Sequence, residues 1–362
     1  MTFARIISTP FHVAILIAAL PAAAQHSAVI DLPDSIMAPG TQMKWVKKVP
    51  KYCEGPAVDL ADGTVYFTEQ LDNSNMNWPI WKINPANASD TGSRWISASN
   101  QSNGLFVDGQ GRVIAAQKGK IVRYKKDASV DVVLATSGNG ATFNQANDLS
   151  LGKDGSFYFT DLGSQAFFVD AQGKLKVAAT GLSSANGIEW LEDEKVVHIQ
   201  AGGNRVFDAA SDGMLTNGKT FYPVPGPDGC EVDSHGNWYM ASYTEGKVFV
   251  ANAKGTKIGE ITFKMESGQY DARGGQQGNI DNCHFGGAGH KTLYCTGDGG
   301  LFSIDLKIPG RAWAAAVPTS ARIGALLMPR DPGAKAFRAD GRWWRQVAPH
   351  GQAAPRLPIL SE

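Results

Sequence analysis

Six polar positions in this chain could together hold a cation. They are Glu54, Asn103, Asn147, Asn186, Asp228 and the Asp281/Asn282 pair, and each heads a similar stretch. The stretches read EGPAVDLADGTVYFTE from Glu54, NGLFVDGQGRVIAAQ from Asn103, NDLSLGKDGSFYFTD from Asn147, NGIEWLEDEKVVHIQ from Asn186, DGCEVDSHGNWYMAS from Asp228 and DNCHFGGAGHKTLYCTG from Asp281. Every head carries a side-chain oxygen. Brought together, two or three carboxylates repel one another unless a cation lies between them. Oxygen ligands without imidazole or thiolate select a hard divalent ion, Ca²⁺ first, with Mg²⁺, Mn²⁺ or Zn²⁺ as alternatives. A single residue of this kind more often caps a turn, but six at corresponding positions point further.

The elements that must position them are legible in the same stretches. Each polar head is followed, usually through a glycine, by an alternating strand, a polar turn and a second apolar strand. The heads recur at intervals of 39 to 53 residues, the length of one four-stranded propeller blade. Segments such as KIVRYKK, NRVFDAA and GKVFVANAKGTKIGEI supply outer strands, and no helical periodicity of useful length appears. The pattern predicts an all-β, six-bladed propeller in one domain over 25–311, with the heads ringing one mouth of its channel. MKWVKKVPKY, ahead of the first repeat, is placed to pair with the last blade and close the ring.

Composition agrees. With 41 Gly, 9 Trp and 19% charged residues, the 362-residue chain suits short strands and tight turns. Lys+Arg and Asp+Glu balance at 34 each, so no global field gathers nucleic acid or anionic lipid; small-molecule partners are expected. The N-terminus, MTFARIISTPFHVAILIAALPAAAQ, has the charged, apolar and Ala-x-Ala order of a secretory signal. Its apolar run is too short to span a bilayer. Cleavage after Ala24 and a periplasmic or secreted location are expected, a membrane anchor being the alternative. After LFSIDLKIPGR the repeats stop, leaving an extension, 312–362, rich in Ala, Pro and Arg and containing GRWWRQV.

Four cysteines, Cys53, Cys230, Cys283 and Cys295, show no Cys-x-x-Cys spacing. Cys283 and Cys295 flank the turn GGAGHK and would face each other across a hairpin, as a disulfide or as buried thiols. No Gly-x-Ser-x-Gly elbow is present, which disfavours serine-esterase chemistry. Among the histidines, His235 and His290 fall in turns and are expected in solvent, His198 sits in an apolar strand, and His284 could line the pocket; their spacing gives no support for a catalytic His-His dyad.

Taken in order, EGP at Glu54, NQAND ending at Asp148, ANGIEW around Asn186, GPDGCEVD around Asp228 and IDNCHFGG around Asn282 resemble the senescence marker protein/gluconolactonase/luciferin-regenerating-enzyme family of six-bladed propellers. The resemblance covers about residues 45 to 312. It implies a divalent metal held by Glu54, Asn186 and Asp228, with Asn147 at the metal to meet substrate or water. Gluconolactonase-related members commonly carry a basic residue before the third-repeat Asn-Asp and an acidic-basic pair after the second-repeat strand. This chain has TFNQAND and AAQKGK there, a departure that bears on the sugar pocket rather than the metal set. The implied activity is a metal-dependent, gluconolactonase-like hydrolase opening a small, sugar-type lactone, with Asp228 and Asn147 catalytic and Asn147, Asn103 and Asn282 binding substrate. A non-catalytic calcium- or small-ligand-binding propeller is the alternative.

Overall fold

The structure is a computed structural model that describes residues 27–70, 77–191, 193, 195–264, 278–311, 335–339 and 342–346. The expected signal segment, Met1 to Ala24, and most of the extension after 312 lie outside them. Strands dominate: among the described residues the helical content is a single 3₁₀ turn, Ala288–His290. Three four-stranded antiparallel sheets follow the chain in order, beginning with Leu105–Val107, Ala146–Leu151 and Ile188–Leu191. A fourth sheet begins with Pro227–Val232 and gains a fifth strand, Ser27–Asp31, on its outer edge. A separate two-stranded ribbon joins Lys335–Ala339 to Arg342–Gln346.

The remaining sheet corrects the expected blade count. It has six strands, so that five blades stand where the repeats predict six. The reason is Lys44–Val58, which runs unbroken for 15 residues. Its first half pairs with the last repeat, Lys44 opposite Ser303 and Trp45 opposite Phe302. Its second half pairs with Val65–Gln70 of the first repeat. Repeats six and one therefore share one sheet, and the expected closure by the MKWVKKVPKY segment is what fuses them. The six inner strands still contact one another in cyclic order, from Lys44–Val58 round to Ile280–Gly286 and back.

The core lies between repeats rather than at the centre. One apolar cluster fills each interface; that between repeats two and three holds Phe143, Phe157, Phe159 and Phe167, with the last two rings stacked at 4.9 Å. Between repeats three and four, Trp190 meets Tyr158 edge to face at 4.9 Å. Such rings each bury large apolar areas, and truncating one to alanine costs about 3–5 kcal/mol.

Around the axis the inner strands approach so closely that side chains are excluded, which explains the glycine after most polar heads. Gly104 N donates to Asn147 O at 2.6 Å and Gly187 N to Asp228 O at 3.0 Å. A Cβ at Gly187 would lie 2.5 Å from that same oxygen. Polar side chains at the ends of second strands stitch across these contacts. Thr68 Oγ1 donates to Asn103 O at 3.1 Å, Thr160 Oγ1 to Asn186 O at 2.5 Å and Gln200 Nε2 to Gly229 O at 3.3 Å.

The cysteines are all free and buried, with Cys283 and Cys295 directly opposite in register. His235 is exposed as expected, whereas His290 is partly buried, its Nε2 3.2 Å from Phe285 O. His198 is packed inside, stacked on Trp238 at 3.8 Å with Nδ1 2.8 Å from Asn204 Oδ1. Burial pulls its pKa from 6.5 down to about 4. An unfolded chain takes up a proton near 6.5 that the folded one refuses until about 4, so stability is lost as pH falls through that window. Urea unfolding of the parent is expected to show up to about 3 kcal/mol of this loss between pH 6.5 and 4. His198→Gln should lack that component; an unchanged pH slope in the variant would contradict the assignment.

Candidate functional site

Five of the six heads stand at or just before the N-terminal ends of their inner strands, and Glu54 lies within Lys44–Val58. Bulges shift the ladder there: pairing is interrupted between Glu54 and Ala57, between Ala146 and Leu149, between Pro227 and Cys230 and between Ile280 and Asn282. A bulge re-aims the side chains beside it. It breaks the in-and-out alternation that would otherwise send every second polar residue into an apolar interface.

Glu54, Asn103, Asn147, Asp228, Asp281 and Asn282 are all at least 95% buried. Glu54 accepts from Tyr52 Oη at 3.3 Å and from Gly55 N at 3.1 Å. Asn282 accepts from Cys283 N at 2.8 Å, donates to Asp148 Oδ2 at 3.2 Å and also bonds the Glu54 carboxylate. It ties the first repeat to the third, with its polar atoms engaged inside the protein. Tyr52 also bonds Asp281 and lies in the fields of Glu54 and Asp228. Asn147 contributes its backbone oxygen to the stitching, and Asn103 and Asn186 do the same through theirs.

Charge is crowded here. Burial, then the Asp148 charge, pushes Glu54 up to about 8. Burial likewise raises Asp148 to about 6, against the pull of Leu149 N and Asn282. Tyr52 is raised well above its ordinary value by burial and by Asp281, Glu54 and Asp228. Protein groups alone leave these carboxylates poorly compensated, which is the electrostatic situation a bound cation relieves.

The donor set fits a hard divalent ion. Asn186 Oδ1 and Asn103 Oδ1 are buried without a hydrogen-bond partner, and a buried carbonyl oxygen with no donor is costly unless something positive faces it. Among the described residues no three His, Cys, Asp or Glu side chains close on a common point. The set read from the sequence is of another kind, two carboxylates and one amide.

Sequence reading overlooked Tyr52 and gave Asp148 no role of its own in this cluster. Tyr52 stands two residues before Glu54, the strand spacing that puts both on one face. Asp148 was visible inside the Asn-Asp pair. Asp281, read as part of the last head, faces Tyr52. His284, the histidine most suited to a pocket, has Nδ1 2.9 Å from Glu231 Oε2, lines a cavity with Phe106 and Leu151 and lies within electrostatic reach of Asp148. Gln117, in the departing AAQKGK segment, is fully buried and donates to Ser102 Oγ at 3.0 Å and Tyr124 Oη at 2.7 Å.

Known proteins carry related sequences and folds. A lactonase, drp35, of Staphylococcus epidermidis is 26% identical over 267 residues, spanning 65% of this chain and 78% of the relative. Among solved structures, a gluconolactonase of Xanthomonas campestris superposes with a TM-score of 0.63 at 20% identity, covering 79% of this chain and 97% of that one. A calcium-binding regucalcin of Agrobacterium tumefaciens gives 0.59 at 17%, covering 75% and 96%. At such identities the structures speak to the fold. The family model described as the SMP-30/gluconolactonase/LRE-like region matches residues 52–298, from Tyr52 to the last inner hairpin, and the chain belongs to that family.

Proposed function

We propose that this protein is a divalent-metal-dependent hydrolase that opens a small, sugar-type lactone at the buried acidic ring. The observation that carries the reading is Asn186 Oδ1, buried without a partner in a site where Glu54 is raised to about 8. Both features fit an oxygen-lined cation site. The lactonase relatives favour hydrolysis over simple ligand storage.

In this proposal Glu54, Asn186 and Asp228 hold the ion, with Ca²⁺ favoured by the all-oxygen donor set. The bound ion would polarise the lactone carbonyl and acidify water. Asp228 accepts the proton of the attacking water, a role for which its carboxylate is suited and an amide is not. Asn147 and Asn103 orient the substrate through their side-chain amides. Asn282 keeps Glu54 and Asp148 apart at a fixed distance, and the Tyr52 hydroxyl holds Glu54 from the opposite side. Export, with removal of Met1 to Ala24, belongs to the same proposal; an Ala-x-Ala site after a short apolar run is its support.

Four outcomes are expected. In a pH-indicator screen of lactones, turnover of the responsive substrate should disappear with chelator and return with Ca²⁺. Asp228→Asn should lose metal binding by calorimetry together with hydrolysis, the fold being retained; a variant that binds and turns over like the parent would reduce Asp228 to a turn residue. Metal binding without hydrolysis of any lactone would favour the non-catalytic propeller. Asn147→Ala should lower kcat about 10²-fold or more, in the range of losing one positioned polar group, with metal affinity and Tm nearly unchanged; unfolding would assign the amide to the turn. Mass spectrometry of natively expressed protein should find the chain beginning at Gln25, and retention of Met1 to Ala24 would remove the support for export.

A further inference from the structure

Tyr52 holds a singular place in the closing strand. It is the residue at which the two pairings of Lys44–Val58 meet: Asp298 of the last repeat stands opposite it on one side and Gln70 of the first repeat on the other. Before it the strand pairs with the last repeat, and after it with the first. The partner is itself tied down. Asp298 Oδ2 accepts from Asn279 N at 3.0 Å, and Asp298 N donates to Asn279 O at 3.2 Å.

Asp281 is placed by the opposite device. Ile280 pairs with Gly297 and Asn282 with Thr296, so that Asp281 is the extra residue of a bulge. Such a residue is released from the ladder and its side chain is re-aimed. Asp281 is fully buried, and its carboxylate accepts from the Tyr52 hydroxyl. The same hydroxyl reaches Glu54 Oε1 at 3.3 Å, longer than the roughly 2.7–2.8 Å at which an O–H donor usually sits. A phenol has one proton to give. Shared between two carboxylates, Tyr52 is a bridge: Asp281 fixes the hydroxyl, and the hydroxyl borders Glu54. Asn282, the next residue along, bonds the Glu54 carboxylate directly. Two consecutive residues of the last repeat thus reach one carboxylate of the first.

We propose that Tyr52 and Asp281 act as one positioning pair, in which Asp281 anchors the phenol and the phenol sets the orientation in which Glu54 meets the divalent ion. This rests on the metal reading of the ring and adds that the ligand from the first repeat is aimed from the last. Neither residue is among the proposed ligands of the ion or the substrate. A carboxylate already held in place loses less side-chain freedom when the ion arrives, which is the benefit of preorganisation.

Calorimetry with Ca²⁺, and with Mg²⁺, Mn²⁺ and Zn²⁺ in turn, on the purified parent, Tyr52→Phe, Asp281→Ala and the double variant reads the pair without recourse to activity. Each single substitution is expected to weaken the ion roughly tenfold, as loss of one hydrogen bond to a charged group would. The double variant should bind no more weakly than Asp281→Ala, because either change breaks the same bridge. Tm of the ion-free variants is expected to stay near that of the parent. Unchanged affinity in Tyr52→Phe would overturn the proposal, and that variant, which keeps the ring, decides alone should Asp281→Ala not fold. Effects that add in the double variant would overturn it too, by reducing Asp281 to one more charge near the ion. A lowered Tm with unchanged affinity would make the pair structural only. In each of these outcomes the parent still binds its ion and the metal reading survives, whereas a parent that binds none of the four ions would remove both.

Discussion

The centre of this protein depends on one strand that belongs to two repeats. Lys44–Val58 is held at its start by the last repeat and at its end by the first. Only that double attachment sets Tyr52 and Glu54 beside Asp281 and Asn282, which come from the opposite end of the sequence. Without it the array would be an open arc with two exposed edges. The acidic cluster, the cyclic contact of the inner strands and the channel all follow from closure.

Closure carries an electrostatic cost. Four carboxylates, Glu54, Asp148, Asp228 and Asp281, are drawn into a space from which water is largely removed, and the fold meets them with a tyrosine hydroxyl, an asparagine and a few backbone amides. A sequence optimised only for stability would not bury so much like charge. Local departures of this sort mark sites kept for another reason. The stitching by Thr68, Thr160 and Gln200 gives this ring a firm frame, as positioned polar chemistry requires.

Much of this was legible in the residues. The repeat of a polar head, glycine, alternating strand and turn located the inner strands, because strand period and turn chemistry are local properties. What escaped depended on non-local pairing. Tyr52 lacks a counterpart in the other repeats, so comparison of repeats could not reveal it. The fusion of repeats six and one follows from an unbroken Lys44–Val58, and Pro50 within it gave no hint of continuity. Ser27–Asp31 adds an edge strand to a sheet far along the chain, a pairing that five residues cannot announce. Cys283 and Cys295 were read as facing partners and are so in register, yet they remain thiols; facing positions are necessary for a bridge and do not compel one.

Long-range closure also has a temporal meaning. Lys44 pairs with Ser303, so the ring cannot be completed on the ribosome until nearly all of the propeller has been made. Up to that moment the growing array has unpaired edges and an acidic centre without the wall that the last repeat supplies. Contacts of such sequence separation are formed late and slowly. The nascent chain therefore spends its synthesis as an incomplete ring, with the first half of the strand that carries Glu54 waiting for its partner.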